Sequence, residues 1–413
     1  MFTPHPTLRF SDILPLHKQK LHPQFSQRLY LTYNARSALY QLLLSLPKKT
    51  RDTVLLPAFH CVALVESVLR AGYRAVFYRI TADFAIDLED LRSKCSTRDA
   101  LIVVVHFFGF PADLAPVTSI AHETGSYVLE DCAHSFLSRF KNQPVGQEGD
   151  FALFSYYKFA PSLTGGGLGV NQIGFNFAHS TGRVPLRKHI VIAKRLIEQA
   201  AVNSSRNPLS RLFLWLDNKR VGRMANHASG GVESAPSSFL DDPYSFREDL
   251  ACAGMPSACR LVLESCNWKE IGRARQKNYR AWSSVLCDTL SIKRALPELP
   301  GSVVPWAFPL LLENRVEHEQ ILRRKGVPLF TFGEMLHPAL SGLRDRARED
   351  AEKISSRLLL LPVHPQVCIS DIEDTALILQ TYLDGIRTDK AHQNNENRLF
   401  PPSIAISRGR GSL

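Results

Sequence analysis

Between residues 30 and 170, short runs of β-branched and aromatic residues alternate with stretches of helical period. The runs TVLLPAF, RAVFYRI, ALIVVVHFFG, SYVLEDCAH and DFALFSYY predict five strands. The segments between them, such as CVALVESVLRAG and LAPVTSIAHETG, have the spacing of helices that end at a glycine. Strands that alternate with helices predict an α/β fold in which a mostly parallel sheet is covered by helices on both faces.

The sequence downstream predicts a second, smaller unit. The strand VPWAFPLLL and the helices RVEHEQILRRKG and SDIEDTALILQTYL form another αβ pattern, and residues 185–220 predict two helices separated by NSSRNP. We therefore expect a large α/β domain over residues 1–254 and a small α+β domain over 255–385. Residues 386–413 are polar and predict a disordered tail.

The amino-acid composition of the chain argues against several classes of function. The chain has 413 residues, 45% of them hydrophobic and 22% charged, which is typical of a globular protein with a large core. Its net charge of +11 is spread out, without the basic blocks and interleaved aromatics of a nucleic-acid platform. The eight cysteines show neither CxxC pairs nor zinc spacing, so no disulfide framework or metal site is expected. No signal core or run of about 20 apolar residues is present, so we expect a cytoplasmic protein without a membrane span.

Charged and polar residues follow three of the predicted strands, at the sheet edge where α/β folds bind ligands. Asp131 ends VLEDCAH, Lys158 follows DFALFSYY, and Ala35 and Arg36 open a helix after LTYN. Taken singly, these features are typical of a structural ion pair and an ordinary helix start. Together they suit pyridoxal phosphate, because a carboxylate can keep the pyridine nitrogen protonated, a lysine can form a Schiff base, and a helix start can bind phosphate.

Five motifs occur in an order that resembles the DegT/StrS family of sugar aminotransferases. They are LPAFHC…AG, IVVVHFFGFPAD, VLEDCAHS, GDFALFSYYKFAPSLTGGGLGV and LPVHP…SDIED, and they span roughly residues 30 to 385. The resemblance implies the fold of aspartate aminotransferase, fold type I of the pyridoxal-phosphate enzymes. It also implies a homodimer whose active site is completed by the partner chain.

The resemblance implies roles for individual residues. Lys158 would carry the cofactor as a Schiff base and move the proton between substrate and cofactor, and Asp131 would pair with the pyridinium nitrogen. Ser155 would bind the phosphate together with Ala35 and Arg36 at the helix start.

The same resemblance implies contacts with the cofactor for three further residues. His134 would lie near the phenolic oxygen of the cofactor, and either Phe59 or His60 would stack on its ring. No residue is implied as a metal ligand.

The chain departs from the family pattern beside the lysine. Only two residues separate Ser155 from Lys158, where the family has four, although the distance from Lys158 to the glycines at 165–167 is retained. A two-residue deletion before the lysine explains both facts. The alternative alignment places the catalytic position at Ala160 and leaves a protein that cannot form a Schiff base. Thr164 also replaces the acidic residue that often precedes the glycines.

The sequence therefore predicts an aminotransferase. An amino donor such as glutamate would load the cofactor, which would then aminate a keto group on a nucleotide-linked sugar in polysaccharide or secondary-metabolite synthesis. A lyase or dehydratase of the same fold is a second hypothesis, which the lysine at 158 disfavours because a dehydratase of this family tends to replace it. A non-catalytic scaffold descended from the fold is the third.

Overall fold

The structure is a computed structural model that describes most of the chain. The described residues are 3–9, 12, 28–47, 51–178, 182–204, 246–286, 292–296 and 298–399, with the backbone alone for 386–399.

A sheet of seven strands forms the centre of the protein. The first nine strands are β1 (Leu29–Thr32), β2 (Thr53–Pro57), β3 (Arg74–Tyr78), β4 (Asp99–Val105), β5 (Tyr127–Asp131), β6 (Arg139–Phe140), β7 (Gln143–Pro144), β8 (Phe151–Ser155) and β9 (Gly166–Val170). The order in the main sheet is β1-β9-β8-β5-β4-β2-β3, and β9 is the strand that runs against its neighbours, while β6 and β7 form a separate hairpin. Every residue of β2, β4, β8 and β9 is buried, which explains why their sequences are continuously apolar rather than alternating. The five strands predicted from the sequence are confirmed.

Helices connect these strands. They are α1 (Ala35–Ser45), α2 (Val62–Arg70), α3 (Leu88–Lys94), α4 (Ala115–Thr124) and α5 (Leu186–Asn203). Asn34 caps α1, since its side-chain oxygen accepts the N–H of Ser37 at 2.9 Å, and Gly125 ends α4 with a φ of 69°. The second of the two helices predicted in residues 185–220 lies outside the described residues.

A second, three-stranded antiparallel sheet follows. Its strands are β10 (Ile292–Arg294), β11 (Ala307–Leu312) and β12 (Leu358–Pro362), and the helices of this part are α6 (Ser257–Ser265), α7 (Trp268–Val285), α8 (Arg315–Arg324), α9 (Arg346–Arg357) and α10 (Ile369–Leu399). This part has an apolar cluster of its own around Trp282 and Phe308. The main cluster nevertheless includes Cys259 and Val262 of α6, so the boundary between residues 254 and 255 stays a prediction.

The C-terminal segment differs from the prediction of a disordered tail. The structure describes residues 386–399 as the end of α10, whose earlier turns bury Ile372, Ala376 and Leu379. Once such a helix is nucleated, each further residue adds a backbone hydrogen bond, so a polar sequence can extend it. Residues 400–413 lie outside the described residues. Among the helices that the structure describes, none combines the length and the hydropathy needed to cross a bilayer.

Three consecutive glycines bring β9 against the start of α1. Gly165 has a φ of 130°, a conformation that side chains rarely allow. A Cβ atom on Gly166 would lie 2.2 Å from the carbonyl carbon of Asn34 and 2.4 Å from the nitrogen of Ala35. A Cβ atom on Gly167 would lie 2.6 Å from the hydroxyl of Tyr156. The glycines therefore allow two backbones to touch at the point where α1 begins.

Replacing Gly166 by alanine is expected to destabilise the protein by about 3 kcal/mol, because the added methyl group meets backbone atoms that cannot move aside. Gly301→Ala is the matched control, since a Cβ atom there would have no neighbour within 4 Å. Urea unfolding of both variants measures the difference. Equal unfolding midpoints would show that the contact between β9 and α1 is not tight.

Candidate active site

A cavity of about 510 Å³ lies at the carboxyl edge of the main sheet. Its lining includes Asp131 at the end of β5, Ser155 and Lys158 at the end of β8, and Ala35 and Arg36 at the start of α1. The volume is within the range of small-molecule sites. The structure thus brings five of the eight predicted site residues together around one space.

Sheet register explains why Lys158 and Asp131 meet. The strands β5 and β8 are parallel neighbours in which Asp131 pairs with Leu153, so both chains leave the sheet at the same edge. A short 3-10 turn over Tyr156–Lys158 then carries the lysine to the cavity, with the N–H of Phe159 donating to the carbonyl of Tyr156 at 2.9 Å. The shortened spacing before the lysine is therefore accommodated by a single tight turn.

The position of Ala160 decides between the two alignments considered from the sequence. Its side chain is fully buried in the main apolar cluster and does not line the cavity. Lys158, two residues earlier, does line it. The structure therefore favours Lys158 as the residue that faces a bound cofactor.

The environment of Lys158 lowers the pKa of its amine. Burial lowers the pKa of Lys158, and the nearby Cys61 and Asp131 oppose this by raising it. The ammonium nitrogen lies 4.7 Å from the ring centre of Trp306 and 5.6 Å from that of Phe332. The two rings and the carboxylate together hold the amine over the cavity.

Burial disfavours the charged form of Asp131 as well, although it shifts the pKa in the opposite direction. Burial raises the pKa of Asp131, while Lys158, the backbone and His106 lower it in part. One carboxylate oxygen accepts the N–H of Ala133 at 2.9 Å. A carboxylate held in this way gains from a second cationic partner in the cavity, and a protonated ring nitrogen would supply one.

The start of α1 suits an anion. The side chain of Asn34 occupies the N–H of Ser37, so the earlier N–H groups of the helix point beyond its end, as they do at any helix start. These groups belong to Ala35 and Arg36, and Ser155 lines the same cavity. The amine, the carboxylate and the anion-binding helix start fit the aldehyde, ring nitrogen and phosphate of pyridoxal phosphate.

His134 lies behind Trp306, next to the cavity, and is not among the residues that line it. Its ring packs 4.0 Å from the ring of Trp306, and its Nδ1 accepts the N–H of Phe108 at 3.5 Å. Burial, together with the charge of Lys158, lowers the pKa of His134 well below its usual value. The turn after Asp131 directs His134 against Trp306, which lines the cavity, and the contact of His134 with the phenolic oxygen stays a prediction.

Phe59 and His60 also lie away from the cavity. Phe59 is fully buried in a group of aromatic rings. His60 uses both ring nitrogens, as its Nε2 accepts the N–H of His337 at 3.1 Å and its Nδ1 donates to the carbonyl of Pro57 at 3.2 Å. Burial lowers the pKa of His60 to about 4, so the ring is neutral. Cys61, one residue later, lines the cavity, whereas Phe59 and His60, the two residues predicted to supply a stacking ring, do not.

Several cavity residues come from distant parts of the chain that sequence reasoning did not connect to the site. They are Pro4, His5, Trp306, Arg323, Phe330, Thr331, Phe332 and Met335. The N-terminal segment is held in place because side chains of His364 and Gln366 each donate to its backbone carbonyls at 2.8 Å. The ring of His5 then packs 5.0 Å from Phe330. These contacts are long-range, and no local pattern in the sequence signals them.

A buried cluster beneath the cavity has the composition of a metal site. The ligand atoms of His106, Glu130 and Cys132 lie within 4.8 Å of one another. Three backbone N–H groups, of residues 146, 148 and 149, and the Nε2 of His106 donate to the Glu130 carboxylate at 2.7 to 3.0 Å. Burial raises the pKa of Glu130, but these donors outweigh it and lower the pKa overall. Because these donors already use the lone pairs of the Glu130 carboxylate, the cluster stabilises the turn after β7.

The segment that matches a family of known proteins contains the five predicted cavity residues but not Trp306 or Phe332. Residues 29–170 match the sequence model of the DegT/DnrJ/EryC1/StrS aminotransferase family. Over these residues the chain is similar to this family. The segment runs from β1 to β9 and contains both Asp131 and Lys158, together with the glycines that begin β9.

Curated relatives in the family align over part of their length. The chain is 28% identical over 155 residues to GDP-perosamine synthase of Escherichia coli, covering 36% of this chain and 43% of that protein. It is 33% identical over 107 residues to UDP-N-acetyl-3-dehydro-alpha-D-glucosamine 3-aminotransferase of Acidithiobacillus ferrooxidans, covering 26% and 29%. The aligned segment thus spans less than half the length of either relative.

The fold likeness extends over nearly the whole chain. The structure of Helicobacter pylori PseC, an aminotransferase involved in the biosynthesis of pseudoaminic acid, superposes with a TM-score of 0.64 and 16% identity. The superposition covers 93% of this chain and 99% of that one. It confirms the predicted fold type I architecture.

Proposed function

We propose that the protein is a pyridoxal-phosphate-dependent aminotransferase that aminates a keto group on a nucleotide-linked sugar, with glutamate as the amino donor. The observation that carries the proposal is the meeting of Lys158, Asp131 and the start of α1 around one cavity at the sheet edge. A scaffold without catalytic function has no need of a buried amine and a buried carboxylate at the same site.

Each residue has a defined task. When bound, the cofactor supplies an electron sink that makes the substrate C–H bond acidic. Lys158 would hold the cofactor at its aldehyde and, as a free amine, would carry the proton, for which a lowered pKa is favourable. Asp131 would keep the ring nitrogen protonated, and Ser155 with the α1 start would hold the phosphate.

The acceptor is proposed to be a nucleotide-linked sugar for two reasons. The aligned relatives are named for a GDP-linked and a UDP-linked sugar. Arg36 lines the cavity and can meet the negative charge of a diphosphate, in agreement with the net charge of +11.

We also propose a homodimer that works in the cytoplasm, as the family resemblance implies. Leu186, Ile190 and Ile197 of α5 expose 74%, 59% and 49% of their surface. Apolar side chains spaced along one helix suit a surface that a second chain covers.

An absorbance spectrum of the purified protein with pyridoxal phosphate, taken before and after glutamate is added, tests the reaction type. We expect the visible band of the lysine-bound cofactor to move to shorter wavelength, and a keto sugar nucleotide to restore it. A visible band that no amino donor changes would favour the lyase, and a protein that binds no cofactor would favour the scaffold. Either result would overturn the proposal.

A further inference from the structure

Arg275 of α7 joins the lysine turn to the second unit. Its side chain is fully buried, with a relative exposure of 1%. One terminal nitrogen donates to the carbonyls of Trp306 at 2.9 Å and Pro305 at 3.4 Å, and the other donates to those of Lys158 at 2.9 Å and Phe159 at 3.3 Å. The guanidinium carbon lies 4.6 Å from the centre of the Phe159 ring.

Within the described part of the chain, no carboxylate forms a hydrogen bond with the buried guanidinium of Arg275. Within the described ranges its hydrogen-bond partners are all carbonyl oxygens, and its Nε is buried without a partner. Burial lowers the pKa of Arg275 to about 9. Burying a cation that lacks a counterion costs several kcal/mol, so this position is unfavourable for stability alone. Buried charged groups that lower the stability of the fold in this way are concentrated at functional sites.

We propose that Arg275 is a positioning residue of the active site, which fixes the backbone of Lys158 relative to that of Trp306. A planar guanidinium can donate hydrogen bonds to two pairs of adjacent carbonyls at once, whereas the ammonium of a lysine, a point charge on a flexible side chain, cannot. The lysine turn is only three residues long, so its orientation depends on such an outside anchor. The anchor thereby holds the amine of Lys158 against the ring of Trp306 and over the cavity.

This inference rests on the proposed function for its kinetic consequences, but its geometric consequence can be measured without cofactor. The ionisable groups that face the amine of Lys158 are Asp131, Cys61, His5 and His134. None of them is altered by a substitution at Arg275. A changed pKa of the amine in the cofactor-free protein would therefore report a changed position or a lost neighbouring charge.

The test compares Arg275→Lys and Arg275→Gln with the control Arg315→Lys. Arg315 of α8 is also a buried arginine with an unpartnered Nε, but it contacts Glu319 and the carbonyl of Ser355 and does not itself line the cavity. Competitive acetylation of the cofactor-free protein over a pH series gives the pKa of Lys158. Steady-state kinetics with glutamate and a keto sugar nucleotide give kcat and KM.

We expect both Arg275 variants to raise the labelling midpoint of Lys158 by at least about half a pH unit, because the released amine is better hydrated. We expect kcat to fall by about 10- to 100-fold with KM changed by less than about threefold. Arg315→Lys should lower the unfolding temperature and change neither quantity.

The outcomes separate this inference from the function. A shifted midpoint in a protein that does not transaminate supports the role of Arg275 and rejects the proposed function. Normal transamination with an unshifted midpoint and unchanged kcat rejects the role of Arg275. Failure of both variants to fold also overturns it, because Arg275 would then act on the stability of the core.

Discussion

Replacement of Lys158 by alanine is expected to abolish the visible absorbance band of the bound cofactor and to lower the rate of transamination at least about 10³-fold. The reason is that no other lysine lines the cavity within the described part of the chain. The folded state should persist, because the ammonium of Lys158 is unfavourable where it lies and its removal relieves that cost.

Lys353→Ala is the matched control for Lys158. It removes a lysine whose side chain is 63% exposed on α9, and it should leave both the spectrum and the rate unchanged. Spectra of the two variants, reconstituted with equal pyridoxal phosphate, give the comparison. A band that survives in Lys158→Ala would show that the cofactor is attached elsewhere.

Asp131→Asn is expected to lower kcat by about 10²- to 10⁴-fold while the cofactor still binds to Lys158. Asparagine can accept the N–H of Ala133, as the carboxylate does, but it cannot hold a proton on the ring nitrogen. Asp99→Asn is the control, since Asp99 is also a buried carboxylate whose pKa is raised by burial, but it begins β4 at the opposite edge of the sheet.

The same variant has a pH effect of known sign. The charge of Asp131 raises the pKa of Lys158, so its removal should lower that pKa further below the ordinary value of a lysine. In the cofactor-free protein the amine then becomes reactive at lower pH than in the wild type. Acetylation of Lys158 across a pH series measures this. A midpoint that stays at the wild-type value, or moves upward, would contradict the stabilisation of the ammonium by the carboxylate.

Much of the fold could be predicted because the strands are continuously apolar. The strand β4 contains the run ALIVVV, and such a strand is stable only when both of its faces are covered. This requirement leads directly to a parallel sheet flanked by helices. Asp131 and Lys158 could be predicted for a related reason. Both follow such strands, and parallel neighbours end at the same edge.

The remaining site residues could not be predicted, because they reach the cavity through contacts between distant segments. His5, Trp306 and Phe332 lie in runs that carry no local signal, and Arg275 is one of several arginines on a helix. The placement of Phe59 and His60 depends on a different feature of the chain. The direction of a side chain in the connection after a strand depends on backbone angles, and these place Cys61 at the cavity and its two predecessors in the core.

Borohydride reduction of the protein loaded with pyridoxal phosphate, followed by peptide mapping, tests the covalent role of Lys158 most directly, because reduction makes the lysine link permanent. We expect the modified residue to be Lys158. Modification of a different lysine, with Lys158 recovered unmodified, would contradict the assignment of this cavity as the active site.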